Sequence, residues 1–446
     1  MGAAGLAAAA AVGGGAFALT SGSSEADASQ GSLTVPEEDV FTTEACEYVE
    51  DAGGLVTMRT RASLPFGTIL TACGDSVAAC LMPTEDAAPL LQVGLFHLGS
   101  GNLTSALKNA AGADDGFQIL DARAHGGGLI WLESNLLTGA WRVYTTTLDG
   151  AVVGDPALAE ERDSAWRLPS LTVSDGCAWW QTEPADASDK TLSAALRRVP
   201  FGAGADTAET VLESAGGFGC APAPAGAGVA ACQRTSRTGK TWQLLYLADE
   251  SGQIEDSLTL PSTMMPQDVS YGPNGFGFTF SSIYQVGDGI SNLGTYTPAT
   301  AVPLTVAQAE EDALAGMQAE AKAAAKDGAD VQLTDDQRAS ARAQAEDAVC
   351  ELYSAAEWFR FPRAPVTPPA FAGNWVFVKS TNVVAAVNLD ARKYVTITTE
   401  SATQGYGEYL ASMGTGSRVV TFANVDYTPM NGAQIRECTV RVWETA

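Results

Sequence analysis

His97 and His125 are all the imidazole that this 446-residue chain offers to a nucleophile. A serine-type triad needs such a base within hydrogen-bond reach. His97 stands between Phe96 and Leu98, the setting of a packed strand residue, and His125 opens the turn His125-Gly126-Gly127-Gly128. The sequence has no Gly-x-Ser-x-Gly elbow, Walker motif or His-Glu-x-x-His helix. Its glycine runs near positions 13 and 126 lack the strand-to-helix setting that cradles phosphate. Carboxylates could act without histidine, as a pair flanking a glycosidic bond. Glu85, Asp86, Glu133, Glu183, Asp186, Asp288 and Asp426 fall in segments that read as loops on one face, but 52 acidic residues would place carboxylates there in any case. The same loops suit Ca2+ by charge, yet no Asp-x-Asp-x-Asp-Gly run marks a site, so no cofactor is expected.

The eight cysteines form an even set, which fits an oxidising compartment. Cys80 and Cys232 hold the same place in two Val-Ala-Ala-Cys segments, and each has a second cysteine on the preceding strand. Hairpin bridges from Cys73 to Cys80 and from Cys220 to Cys232 are therefore expected. Zinc is the alternative, but the spacings are not those of a paired C-x2-C site. Cys46, Cys177, Cys350 and Cys438 leave three pairings open.

The net charge of -27 repels nucleic acid phosphates and anionic lipid at long range, which argues against both as partners. Residues 1–19 form an uncharged Ala/Gly-rich run, and Ala26-Asp27-Ala28 is a small-x-small cleavage site. Residues 1–28 thus read as an export signal, or as a membrane anchor if uncleaved, with residues 29–53 a linker and short N-terminal segment. Their composition resembles the hydrophobic part of a twin-arginine export signal, although no arginine precedes it.

What must position any site is a repeat. Short apolar segments recur at 77–80, 129–132, 177–180, 229–232, 276–280, 375–378 and 419–422, in steps of 52, 48, 52, 47, 99 and 44 residues. Gly128, Gly176, Gly228 and Gly275 directly precede four of them. Each is followed by a second strand, and most of these by a turn rich in Gly and Asp, such as Asp149-Gly150. The double-length step holds a helical hairpin over 305–355, with capping boxes at Thr305 with Gln308 and Thr334 with Gln337. It reads as an insertion between units five and six, outside the main core. There it stands beside or over the channel mouth, as a lid or docking arm or as a passive insertion.

This pattern resembles a seven-bladed β-propeller of the broad TolB-like or quinoprotein-like kind over residues 54–446, with six blades and an N-terminal subdomain as the alternative. The fold class is all-β. The strand at 55–61 is expected to close the ring by joining the last unit, because closure removes free sheet edges. The resemblance implies a channel mouth at the points where the chain reaches each inner strand. Phe66, Phe117, Trp166, Phe218, Asp268, Trp358, Arg360 and Tyr406 fall at those points. Aromatics around a concave mouth can stack on sugars or grip apolar side chains, while an acid and a base fix polarity. The competing reading is that these rings pack between blades. The expected protein is an exported bacterial binding or interaction module, secreted or at the cell surface and monomeric, with a protein or glycan ligand and no catalytic residue. An extracytoplasmic glycan hydrolase or lyase using loop carboxylates is the alternative.

Overall fold

The computed structural model describes residues 31–446 except 51–54, 85–90, 187, 189–190, 281–288, 291, 325–331, 365, 398–406, 430–431 and 446. Its strands form seven sheets arranged as a propeller. The first holds Ile69–Ala72, Val77–Pro83, Leu91–His97 and Asn102–Leu107, in that order from the inner edge outward. The second holds Gln118–His125, Gly128–Asn135 and Ala140–Asp149, with Ala157–Arg162 outside. The third holds Ser170–Val173, Cys177–Thr182, Ala194–Pro200 and Glu209–Ser214. Ala223–Pro224, Gly228–Arg234, Trp242–Ala248 and Ile254–Thr259 make the fourth. Asp268–Gly272, Gly275–Phe280, Gly294–Pro298 and Trp358–Phe361 make the fifth. The sixth runs Ala370–Ala372, Trp375–Lys379, Val384–Asn388 and Lys393–Ile397. The seventh runs Tyr409–Leu410, Arg418–Tyr427, Ile435–Thr445 and, from the other end of the chain, Val56–Pro65.

The last pairing is the expected closure, antiparallel from Val56 opposite Thr445 to Pro65 opposite Glu437. Seven apolar clusters fill the seven gaps between consecutive sheets. Each second strand is therefore covered on both faces. Val77, Ala79 and Leu81 face the second sheet, and Ala78, Cys80 and Met82 face the seventh. Two-sided burial is why these strands read as continuous apolar runs rather than as alternations. The outer strand Val56–Pro65 alternates with exposed positions instead. The sixth and seventh sheets share an inner edge, since Gly414–Gly416 pairs in parallel with Ala370–Ala372.

The N-terminal segment is more than a linker. Leu33 and Val35 are fully buried, and Val40–Phe41 and Glu47–Tyr48 add parallel strands outside the fifth and sixth sheets. Residues 1–28 lie outside the described residues. Among those described, no helix is long and apolar enough to cross a membrane.

Both helices of the hairpin form, α1 at Val306–Ala324 and α2 at Asp335–Ser354. Both capping boxes are present. Their position corrects the sequence reading. The hairpin joins the third and fourth strands of the fifth sheet, not two units, and in an antiparallel sheet that connection emerges on the face of the first-to-second turns. This is the face opposite the inner-strand starts. Nor do the helices stand outside the core: Val306, Val349 and Tyr353 are fully buried in the cluster between the fourth and fifth sheets. Gly275, at φ +104, lets its turn approach the Tyr353 hydroxyl so closely that a β-carbon would collide with it.

Candidate functional site

Phe66, Phe117, Trp166 and Phe218 each sit just before the inner strand of the first four sheets, so the repeat places them equivalently. Trp166 bridges to Pro184 and Phe218 to Gln233, continuing their inner strands toward the face. Arginines cover three of the rings, Arg436 over Phe66 at 4.6 Å, Arg142 over Phe117 at 4.1 Å and Arg162 over Trp166 at 4.7 Å. Phe117 and Phe218 are buried at 7% and 8% exposure. Most of this ring area is committed to packing against neighbouring strands and sheets.

One stretch of this face opens into a cavity of about 180 Å³ between the third and fourth sheets. Pro184, Leu192 and Phe218 give it apolar wall, and Arg167, Arg237 and Glu183 line it with charge. Glu183 organises the wall: one carboxylate oxygen accepts from the Phe218 amide at 2.9 Å, the other pairs with Arg167 at 3.2 Å. The Arg167 side chain remains 57% exposed. Arg237 donates to the Leu192 carbonyl at 3.1 Å, which aims it at the same opening. Gly216 shapes the far wall, because a β-carbon there would meet the Ser236 carbonyl oxygen at 2.7 Å. A second cavity of about 250 Å³ beside Phe117 is lined by Thr84, Leu91, Asn109 and Ala110, with no charged side chain among the described residues.

Other expected site residues are placed differently. Trp358 is fully buried on the outer strand of the fifth sheet, its indole N–H donating to the Tyr353 carbonyl at 2.9 Å. It offers no ring to a ligand. Arg360, on the same strand, donates to the Leu293 carbonyl at 3.1 and 2.9 Å. Both were assigned to a strand start because the hairpin was read as lying between units. Asp268 does begin an inner strand; burial pushes its carboxyl up, against a 2.9 Å hydrogen bond from Thr279. Tyr406, Glu85, Asp86 and Asp288 lie outside the described residues.

Of the remaining carboxylates, Glu133 is fully buried, accepting from the amides of Ala111 and Gly112 at 2.6 and 2.9 Å and from the Trp131 indole at 2.8 Å. It is a folding contact rather than a loop acid. Asp426 pairs with Arg436 at 3.5 Å, and Asp186 accepts from Ser188 at 2.7 Å.

All eight cysteines are free thiols. The Cys73 to Cys80 bridge is excluded by register: Cys80 lies opposite Leu70, three residues from Cys73 along the strand. That is roughly 10 Å, where a disulfide needs α-carbons within about 7 Å. The two side chains also enter different clusters, and Cys80 shares its own with Cys438. Cys220 and Cys232, in contrast, belong to one cluster, and the Gly219 amide beside Cys220 donates to the Cys232 carbonyl at 2.8 Å. The neighbouring Cys232 side chain, then burial, pushes Cys220 well above its ordinary value.

Sequence reasoning missed two buried clusters. Glu408 is fully buried and accepts from Arg441 at 2.8 and 2.9 Å and from Thr421 at 2.7 Å. Lys379 stands near it, buried, its amine pulled down to about 8 by desolvation against the opposing pull of Glu408. A lysine ending the apolar run Trp375-Val-Phe-Val-Lys379 was the available signal. Asp256, 1% exposed, is the other. It accepts from the Val306 amide at 3.2 Å, the first residue of α1, and from the hydroxyls of Tyr271 and Tyr353 at 3.1 and 3.2 Å. Burial raises it to about 6 although these hydrogen bonds pull the other way.

No family model matches the sequence, and no curated protein does. Solved structures match in fold alone. A prolyl endopeptidase structure is 9% identical at a TM-score of 0.47, over 84% of this chain and 50% of that one. The puromycin-hydrolysing peptidase of Mycobacterium tuberculosis is 12% identical at 0.44, over 84% and 51%. An oligogalacturonate lyase is 11% identical at 0.33, over 53% and 62%. The chain thus spans about half the length of those peptidases. Likenesses of this depth carry no argument about activity.

Proposed function

We propose that this propeller is the binding module of an exported bacterial protein, secreted or held at the cell surface, and that its ligand is a peptide segment of a partner protein. The observation that carries this reading is the cavity between the third and fourth sheets. There Arg167 and Arg237 converge beside the apolar wall of Pro184, Leu192 and Phe218. Glu183 offsets one of the two arginines, so the opening keeps a net positive charge in a chain with 25 basic residues against 52 acidic ones, which favours an anion. An acidic side chain or terminal carboxylate would meet the guanidinium groups, and a neighbouring apolar side chain the wall. The export reading rests on the composition of residues 1–28 and on the Ala/Gly-rich chain.

Carboxylate-catalysed glycan cleavage has less support. Among the described residues, Glu133, Glu183 and Asp426 belong to three different sheets, and Glu133 is committed to backbone amides. The reading is tested by screening labelled acidic peptides, the same peptides with their carboxylates amidated, and uronic-acid oligosaccharides against the full chain. Binding of the acidic peptides alone is the expected result. Preferential binding of the oligosaccharides would overturn the peptide assignment, and cleavage of them would revive the enzyme.

A further inference from the structure

The wall of that cavity spans the gap between the third and fourth sheets, anchored at one end by the pairing of Ser214 with Ala194 and at the other by the inner strand of the fourth sheet. It runs through Ser214, Ala215, Gly216, Gly217 and Phe218 and leads to the inner strand of the fourth sheet. That strand is only two residues long, Ala223–Pro224. Pro222 and Pro224 carry no amide hydrogen, so this edge forfeits ladder bonds that the other inner strands make. Between those two anchors the wall is attached by the Gly219 amide on the Cys232 carbonyl at 2.8 Å, the Arg234 amide on the Gly217 carbonyl at 3.0 Å and the Glu183 contact with Phe218.

Cys220 lies at the end of this wall and Cys232 on the adjacent second strand, fully buried. The Phe218 to Gln233 pairing and the Ala223 to Ala230 pairing differ in register by two residues. This irregularity falls between Gly219 and Ala223, and it leaves Cys220 packed against the cluster that holds Cys232, one residue from the Gly219 amide that donates to the Cys232 carbonyl. A β-carbon at Gly219 would come within 2.9 Å of the Cys232 sulfur, so the wall has no slack there.

We propose that Cys220 and Cys232 are a redox pair, and that their oxidation to a disulfide locks the cavity wall onto the second strand of the fourth sheet. The oxidant is a disulfide donor acting by thiol–disulfide exchange. Cys220, the more exposed of the two, attacks one sulfur of the donor and releases the other as a thiol; because its raised value keeps the thiolate scarce, the exchange is slow at neutral pH and speeds up as pH rises. The Cys232 thiolate then displaces the bound half, forming the intrachain S–S bond. Two electrons pass to the donor, which leaves as two thiols carrying the two protons. The two residues lie on adjacent paired segments and in one cluster, so the sulfurs can close to the roughly 2.05 Å of a disulfide without the segments separating.

The consequence for binding rests on the function proposed for this cavity, but the covalent step does not, and it is read without any ligand. The full chain is incubated with oxidised glutathione, denatured, alkylated and mapped, and amide exchange is followed over residues 216–219 before and after reduction. The expected result is that Cys220 and Cys232 resist alkylation until reduced, while the other six of the eight cysteines label. Exchange over 216–219 should be at least tenfold slower in the oxidised protein than in the reduced one or in Cys220→Ser. Alkylation of both thiols after oxidation overturns the proposal, as does a bridge that leaves exchange over 216–219 unchanged. Failure of acidic peptides to bind would remove the ligand reading and leave the latch standing.

Discussion

Asp75, in the first turn of the first sheet, holds Ser417 of the last. Its carboxylate accepts from the Ser417 amide and hydroxyl at 2.8 Å and from the Arg418 amide at 2.9 Å, across 342 residues of chain. The contact joins the two ends of the ring on the face opposite the cavity. Charge-assisted hydrogen bonds of this kind contribute about 1.5 to 3 kcal/mol. Asp75→Ala is expected to lower stability by about 2 kcal/mol in denaturant unfolding, with peptide binding unchanged. A midpoint equal to that of the parent would show that strand pairing alone closes the ring.

The Asp256 contacts at the base of the helical hairpin predict a pH dependence with a definite sign. Its folded value of about 6 stands above the ordinary aspartate value of about 3.9, so folding favours the protonated form. The stability this group contributes is present at acid pH and is lost as pH rises from about 4 through about 6. Asp256→Asn keeps an acceptor for the Val306 amide and removes the titration. The melting temperature of the variant minus that of the parent should therefore grow between pH 4 and 7. A flat difference would contradict the burial argument.

Lys379 gives the mirror case. Its folded value of about 8 lies below the ordinary lysine value of about 10.4, so the charged form costs stability below pH 8 and the cost is relieved as pH rises toward 10. Lys379→Met should raise the melting temperature at pH 7, with Glu408 still paired to Arg441. The advantage should shrink above pH 8, and thermal scans at pH 7 and 9.5 measure it.

Trp358 and Trp166 should separate cleanly. Trp358→Ala removes a fully buried indole from the cluster between the fourth and fifth sheets and is expected to cost about 3 to 5 kcal/mol. Trp166→Ala, at a half-buried position under Arg162, should cost less than half of that. Equal losses in denaturant titrations would mean that Trp166 is as deeply wedged as Trp358.

The repeat, the ring closure and the helical caps were legible because each depends on local residue order: apolar second strands after glycine turns, and Thr-x-x-Gln at helix starts. The four aromatics before the first four inner strands were legible for the same reason. Trp358 and Arg360 were misplaced because the helical insertion hid which strand followed it. The Cys73 to Cys80 pairing failed because residue spacing does not give register, and a shift of one residue reverses the face a side chain occupies. Lys379 shows in the sequence only as a charge closing an apolar run, and Asp256 and Glu408 show nothing, since their meaning comes from partners on other sheets or on the inserted helices.

The most direct test of the account is the affinity of one acidic peptide for the full chain and for Arg167→Glu, read by fluorescence anisotropy. Arg167 is exposed at the rim of the cavity, and the reversal removes its pairing with Glu183, so the melting temperature should fall by a few degrees with the fold kept, and Arg167→Gln, which adds no carboxylate, should weaken binding with a smaller loss. Affinity is predicted to fall at least tenfold, with Arg237→Glu behaving alike. Equal affinity in parent and variant would place the ligand elsewhere and contradict the assignment of this cavity.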